Sequence, residues 1–420
     1  MLSVTAVILC VANLILFANN GRYIVENTSK IRSHLKTSIM LGSFAFGIMS
    51  FILPIYSKRI GGNALTIGGL FSIFSIVTLI LRPFIGKAID KYGRKMFFVS
   101  AFLFYGISMF LFSCSTNVIS LYISRFIQAI GASFMWISAY SIAIDIANDE
   151  KRGVAIGQVD GAHNKGALYG ALIGFVLLSN FTLMRGWSIL FKGYAILSIA
   201  AGYIAYKYIP ETKAVSGEQT KSDNNKLNSN FTKLLLIVFI SSISTSMLSP
   251  ILMIYLQDRF TTNIGILATA FIPAALVYAF LPSRLGGISD KFGRKMPMVI
   301  GLIGSGIVSL WFTHMYSIQV LVILWVLESI GIVMASPAEE ALVPDIAGKD
   351  IRGSAYGLYL FVSSMGAAIG PLAGGWLYDS FGHMIPFYLN GAILLSDAIL
   401  VLILFKNYKK ANYSSGMIIK

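Results

Sequence analysis

The stretch GKAIDKYGRKM at residues 86–96 recurs as GGISDKFGRKM at residues 286–296, seven of eleven positions being identical at an offset of 200 residues. Each copy sets an Asp four residues after one glycine and three before a second, with a basic pair next. Glycine permits a short reversal and close backbone approach, and Asp favours the positive end of a helix. Arg and Lys suit the anionic cytoplasmic leaflet. One copy alone would read equally as a basic loop that merely sets topology. Two copies argue for a shared device, because the offset persists beyond them. Ile130-Gly131 matches Ile330-Gly331, Asp145 matches Asp345, and Arg152-Gly153 matches Arg352-Gly353. Gly157, Gly166, Gly170 and Gly174 match Gly357, Gly366, Gly370 and Gly374. The halves are internal repeats.

What surrounds the motif is apolar. The 420 residues are 56% hydrophobic and 12% charged, against about 25% charged in a soluble domain. Such a chain lacks the polar groups to cover a surface in water, so its solvent is largely lipid. Candidate spans fall at 37–57, 66–84, 97–115, 118–143, 154–178 and 188–208, then at 234–256, 264–284, 297–314, 318–342, 354–377 and 384–405. The expected fold is an all-α polytopic membrane protein built of two six-helix repeats, parallel because each holds an even number of spans. The net charge of +15 lies in short segments between apolar runs, which is the positive-inside pattern rather than a nucleic-acid surface. Loops on the side of the motif carry twenty Lys or Arg, against four on the other side, so the motif faces the cytoplasm.

The domains expected are bundles at 37–208 and 234–405, a polar cytoplasmic linker at 209–233 and a cytoplasmic tail at 406–420. Residues 1–36 form an apolar stretch and a basic loop outside the repeat, read as an extra N-terminal helix with a signal-like segment as the alternative. Cys10 and Cys114 sit in or beside apolar runs and form neither a metal site nor a disulfide framework.

The pattern G, three residues, D, two residues, G-R-[KR] resembles the loop between the second and third helices of the major facilitator superfamily, and the resemblance covers residues 37–405. In that family the loop braces neighbouring helices at the cytoplasmic face. The resemblance therefore implies gating roles for Gly86, Asp90, Gly93 and Arg94, and for Gly286, Asp290, Gly293 and Arg294. LYISRFIQAIGASF (121–134) resembles the fourth-helix motif of proton-linked exporters, which implies function for Arg125 and Gln128. GAAIGPLAGG (366–375) resembles the G-x-x-x-G-P-x-x-G-G motif of the drug–proton antiporter branch, with Gly366, Gly370, Pro371, Gly374 and Gly375 as its positions. In that branch the motif lies on the fifth helix. Here the complete copy is on the eleventh, and the fifth reads GALYGALIGF with Ala171 at the proline's place. Close helix packing explains such a glycine stripe equally well.

Ionisable residues inside the membrane are costly and mark function. Asp160, His163 and Lys165 lie on the fifth helix, Glu328 and Glu339 on the tenth and Asp397 on the twelfth. Asp160, His163 and Asn164 share a helical face and Lys165 points elsewhere. Glu339 lies on the face of Glu328, while Asp397 reads as peripheral. The candidates for proton coupling or substrate binding are Arg125, Gln128, Asp160, His163, Lys165 and Glu328. Structural ion pairs, Asp160 with Lys165 or Arg125 with Glu328, are the alternative. Tyr56, Trp136, Tyr140, Tyr255, Tyr356 and Tyr359 line a cavity or anchor at the bilayer interface. No P-loop, HExxH or GxSxG is present.

The expectation is a non-enzymatic secondary transporter without cofactor, driven by a proton gradient. It would export an amphipathic small molecule, a drug or metabolite, across a bacterial plasma membrane by alternating access. Uptake of a small anionic nutrient by symport and a non-transporting receptor stay open. Expected partners are the substrate, protons and lipid, with no nucleic acid, and the chain is expected to act as a monomer.

Overall fold

The computed structural model describes residues 28–147, 152–212, 229–281, 294–347 and 352–405. Among them every regular element is a helix. The first compact unit, residues 1–219, holds α1 (Thr28–Gly42), α2 (Phe46–Arg59), α3 (Ala64–Tyr92), α4 (Arg94–Cys114), α5 (Val118–Asp145), α6 (Arg152–Asn180) and α7 (Leu183–Tyr208). The second, residues 220–420, holds α8 (Ser229–Arg259), α9 (Ile264–Phe280), α10 (Lys295–Phe312), α11 (Ile318–Ala347), α12 (Arg352–Phe381) and α13 (Ile385–Leu404).

Ten of these segments are long and apolar enough to cross a membrane, with α1 and α2 counted together as Thr28–Arg59. The first span starts nine residues before the expected Thr37 and breaks at Ser43–Ala45, where tight turns replace the helical ladder. The break presents the Ser43 hydroxyl and the Phe44 carbonyl to α6. Apolar side chains face outward along the helices, Phe84 at 63% and Ile196 at 66% exposure among them, as lipid contact requires.

Small residues fix how the helices meet. A Cβ added to Gly166 or Gly170 on α6 would collide with the carbonyl oxygen of Met40 or Phe44, and at Gly174 with the Ile48 side chain. The second unit repeats the arrangement between α12 and α8. A Cβ on Gly366 would strike Ser242 and the Phe239 carbonyl, on Gly370 Ser246 and the Ile243 carbonyl, and on Gly374 Met247. Pro371 and Gly375 are buried on the same helix. Lipid tails are as apolar as leucine, so helices in a bilayer associate through such close backbone approach rather than through hydrophobic expulsion.

The core of the first unit gathers Ile39, Phe98, Phe102, Met135 and Ile142, and that of the second Val238, Met298, Leu342 and Val401. Tyr56 belongs to neither a cavity nor an interface. Its ring stacks on Trp187 at 3.8 Å and its hydroxyl donates to the Ser115 carbonyl at 2.6 Å. Tyr255 is likewise buried, against Phe387.

Candidate transport site

The repeated motif builds a polar knot in the first unit. Gly93 ends α3 at φ 99°, a backbone conformation that favours glycine. The reversal aims the first amides of α4 at Glu211, just after α7. The Glu211 carboxylate accepts from the Arg94 amide at 2.7 Å and the Lys95 amide at 3.1 Å. An acid at that place satisfies two otherwise orphaned donors and opposes the positive helix end.

The Arg94 guanidinium reaches Asp145, at the end of α5, at 2.5 Å, and the Thr212 hydroxyl donates to the same carboxylate at 2.8 Å. Asp90 is only 3.9 Å from Arg94 and its side chain is 67% exposed. The partner of Arg94 is therefore chiefly Asp145, with Asp90 at the rim. Gly86 has open space where a Cβ would go. In the second copy Arg294 opens α10, while Gly286, Asp290 and Gly293 lie outside the described residues.

Deeper in the unit, α5 supplies Arg125, buried at 6% exposure. Its Nε donates to the Leu70 carbonyl at 3.1 Å and its Nη1 to Gln128 Oε1 at 2.6 Å. The guanidinium lies over the rings of Phe74 at 4.5 Å and Phe71 at 5.1 Å. Ring faces attract a desolvated cation by up to about 2 kcal/mol. Among the described residues of this unit no carboxylate pairs with it, so a buried charge rests on neutral acceptors alone.

On α6, Asp160 accepts from the Tyr140 hydroxyl at 2.6 Å, and His163 Nδ1 meets the Ser43 hydroxyl at 2.9 Å. Aromatic rings join these groups. Phe46 contacts His163 at 5.2 Å, Tyr105 at 5.5 Å and Phe74 at 6.4 Å, and Trp136 contacts His163 at 4.7 Å and Tyr140 at 5.5 Å. Arg125, Gln128, Asp160 and His163 thus border one aromatic cluster. Lys165 and Asn164 do not join it: both are exposed, and no ion pair links Lys165 with Asp160. Asn164 was expected to share the face of Asp160 and His163, but it is exposed where those two are half-buried.

In the second unit Glu328 is buried at 7% exposure, with Tyr278 near it and no hydrogen bond to its carboxylate among the described residues. Glu339 accepts from the Tyr359 hydroxyl at 3.1 Å. Asp397 departs from its peripheral reading. It is fully buried and accepts from the Ser241 hydroxyl at 2.6 Å, because α13 packs this face on α8 and α10.

Residues 37–232 and 234–416 match the family profile described as Major Facilitator Superfamily. The chain belongs to this superfamily. It is 25% identical over 351 residues to "Multidrug resistance protein 1" of Bacillus subtilis, covering 82% of this chain and 89% of that protein. It is 24% identical over 383 residues to "Quinolone resistance protein NorA" of Staphylococcus aureus, covering 87% and 94%. A solved bacterial homologue of the human lysosomal transporter Spinster shares the superfamily fold at TM-score 0.72 and 16% identity, covering 91% of this chain and 96% of that one. This superfamily member is a multi-pass plasma-membrane protein of a transporter family, with helices as the regular elements among its described residues.

Sequence reasoning found the charged members of the site with Gln128 and Tyr140, and missed Ser43, Tyr105 and Glu211. Glu211 stands in a plain Pro-Glu-Thr segment, and Ser43 and Tyr105 lie in apolar runs. The proline after α7 was the local signal beside Glu211.

Proposed function

We propose that this superfamily member is a secondary active transporter that exports an amphipathic small molecule in exchange for protons, by alternating access. Twelve spans in two parallel six-helix repeats carry it, with α6 and α9 completing the ten; the extra N-terminal helix read from the apolar start of the sequence lies outside the described residues, and residues 28–36, expected as a basic loop, belong to α1. The boundaries are those of the repeats, 37–208 and 234–405, joined by a cytoplasmic linker. The chain acts as a monomer, needs no cofactor and catalyses no covalent reaction. Supporting this reading most directly is the aromatic cluster around Phe46 and Trp136 in the first unit, which borders Arg125, Asp160 and His163. It combines ring faces for an apolar body with groups that can hold a proton or a charge. Kinship with proteins named for multidrug and quinolone resistance supports the outward direction.

In this scheme Asp160, His163 and Glu328 exchange protons, and the Arg94–Asp145 pair closes the cytoplasmic end of its unit. A second reading, uptake of a small anion, draws on Arg125, a buried cation with no carboxylate partner in its unit.

The test is a susceptibility panel in an efflux-deficient bacterial host, comparing wild type with Glu328→Gln and Arg125→Gln at equal membrane levels. Resistance with wild type, lost in both variants, supports proton-coupled export. Resistance undiminished by Glu328→Gln removes that carboxylate from coupling. Accumulation of an anionic solute against its gradient, with no resistance, favours uptake.

A further inference from the structure

Around Arg125 the hydrogen-bond inventory does not balance. Arginine only donates, so Gln128 must turn its carbonyl oxygen toward Nη1. That choice commits the Gln128 amide nitrogen to donate elsewhere, and it is buried with no partner. Tyr105 lies within electrostatic range of the same guanidinium, and its hydroxyl is also buried with no partner. Gln128 is 0%, Tyr105 1% and Arg125 6% exposed. Two unfilled donors and a cation with no carboxylate partner in its unit therefore share one apolar surround: the Arg125 guanidinium lies over Phe71 and Phe74, Phe74 meets Phe46, and Phe46 meets the Tyr105 ring. An unmet buried donor is unfavourable, and an uncompensated buried charge more so. What such a cradle lacks is an acceptor carrying negative charge.

We propose that Arg125, Gln128 and Tyr105 form a binding site for a small inorganic anion of the halide class. The enclosure decides the size. The two unfilled donor atoms are closed off from bulk water, which suits a single spherical ion reached by small side-chain movements better than a substrate carboxylate with a body attached. A halide has no fixed lone-pair directions, so it accepts from a guanidinium, an amide and a phenol at once. The bound ion neutralises Arg125 when no substrate is present and ties α5 to α4. The inference concerns the resident counterion and goes beyond the export reading.

The test uses the full-length purified protein in detergent, with thermal unfolding followed in chloride, bromide or gluconate at constant ionic strength. Chloride and bromide should raise the midpoint saturably relative to gluconate. Tyr105→Phe removes one donor and should raise the half-saturating halide concentration by about tenfold. Arg125→Gln should abolish the response. Should Arg125→Gln fail to fold, Tyr105→Phe and Gln128→Leu decide alone. A crystal grown in bromide should show anomalous scattering between the three side chains. Identical midpoints in halide and gluconate, or a halide response unchanged in both Tyr105→Phe and Gln128→Leu, would overturn the site. A halide response without drug resistance keeps this inference and removes the export reading, so the two fail separately.

Discussion

Replacing Glu211 by Ala isolates the contribution of one side chain to the polar knot. The carboxylate accepts from two consecutive backbone amides, Arg94 at 2.7 Å and Lys95 at 3.1 Å. Losing a helix-capping acceptor costs about 1 kcal/mol. Losing a negative charge at a helix N-terminus adds about 0.3–1 kcal/mol. Glu211 is exposed, so the upper ends of these ranges do not apply, and the total is about 1–2 kcal/mol. That destabilisation corresponds to roughly five- to thirtyfold in a local opening equilibrium. The assay is hydrogen exchange of the amides of residues 94 and 95 in purified protein. Glu211→Ala should speed their exchange by that factor and leave the middle of α4 unchanged. Glu211→Gln keeps one acceptor oxygen and loses the charge, so it should fall between the two and respond less to salt. Unchanged exchange at 94 and 95 in Glu211→Ala would refute the claim that this carboxylate caps α4.

Two further outcomes follow from the same geometry. Gly170→Ala should lower the thermal midpoint, because its Cβ meets the Phe44 carbonyl and overpacking costs about 1–3 kcal/mol. Gly157→Ala on the same helix meets nothing within 4 Å and should be neutral or stabilising by about 0.5–1 kcal/mol; equal midpoints for the two variants would discard the packing argument. Tyr140→Phe removes the 2.6 Å donor to Asp160 and should slow transport by about tenfold or more, the value of a hydrogen bond to a charged group. Wild-type flux in that variant, at equal membrane level, would show that the phenol does not position Asp160.

The fold was legible because its determinants are local. Apolar runs of spanning length, basic loops on one side and a fixed repeat offset are all properties of neighbouring residues. The charged site residues were legible for a related reason: Arg125 and Asp160 stand out in apolar helices, where an ionisable group is unfavourable without a use. Ser43, Tyr105 and Glu211 were not, since they reach His163, the Arg125 surround and the start of α4 from other helices or segments. Lys165 shows how sharp the limit is. One helical residue is about 100° of rotation, so a position five residues beyond Asp160 leaves the inward face. Asp397 was misjudged for the opposite reason. Its place near the chain's end suggested the periphery, but burial follows from which face of α13 packs on α8 and α10.

The two units also differ in a way that residue-by-residue comparison hides. At the 200-residue offset Asp160 meets Leu360, so the aligned position in the second unit carries no carboxylate. Yet Tyr140 on α5 donates to Asp160 on α6 at 2.6 Å, while Tyr359 on α12 donates to Glu339 on α11 at 3.1 Å. The partners are twenty residues apart in both pairs, and α5 with α6 corresponds to α11 with α12. The phenol and the acid have exchanged helices, within one position of the repeat register. A phenol–carboxylate bond holds two helices together whichever of them carries the donor, so the physical constraint lies on the contact rather than on either residue. Neutralising Glu339 should accordingly loosen α11 from α12 as Asp160→Asn loosens α5 from α6, although no aligned position links the two acids.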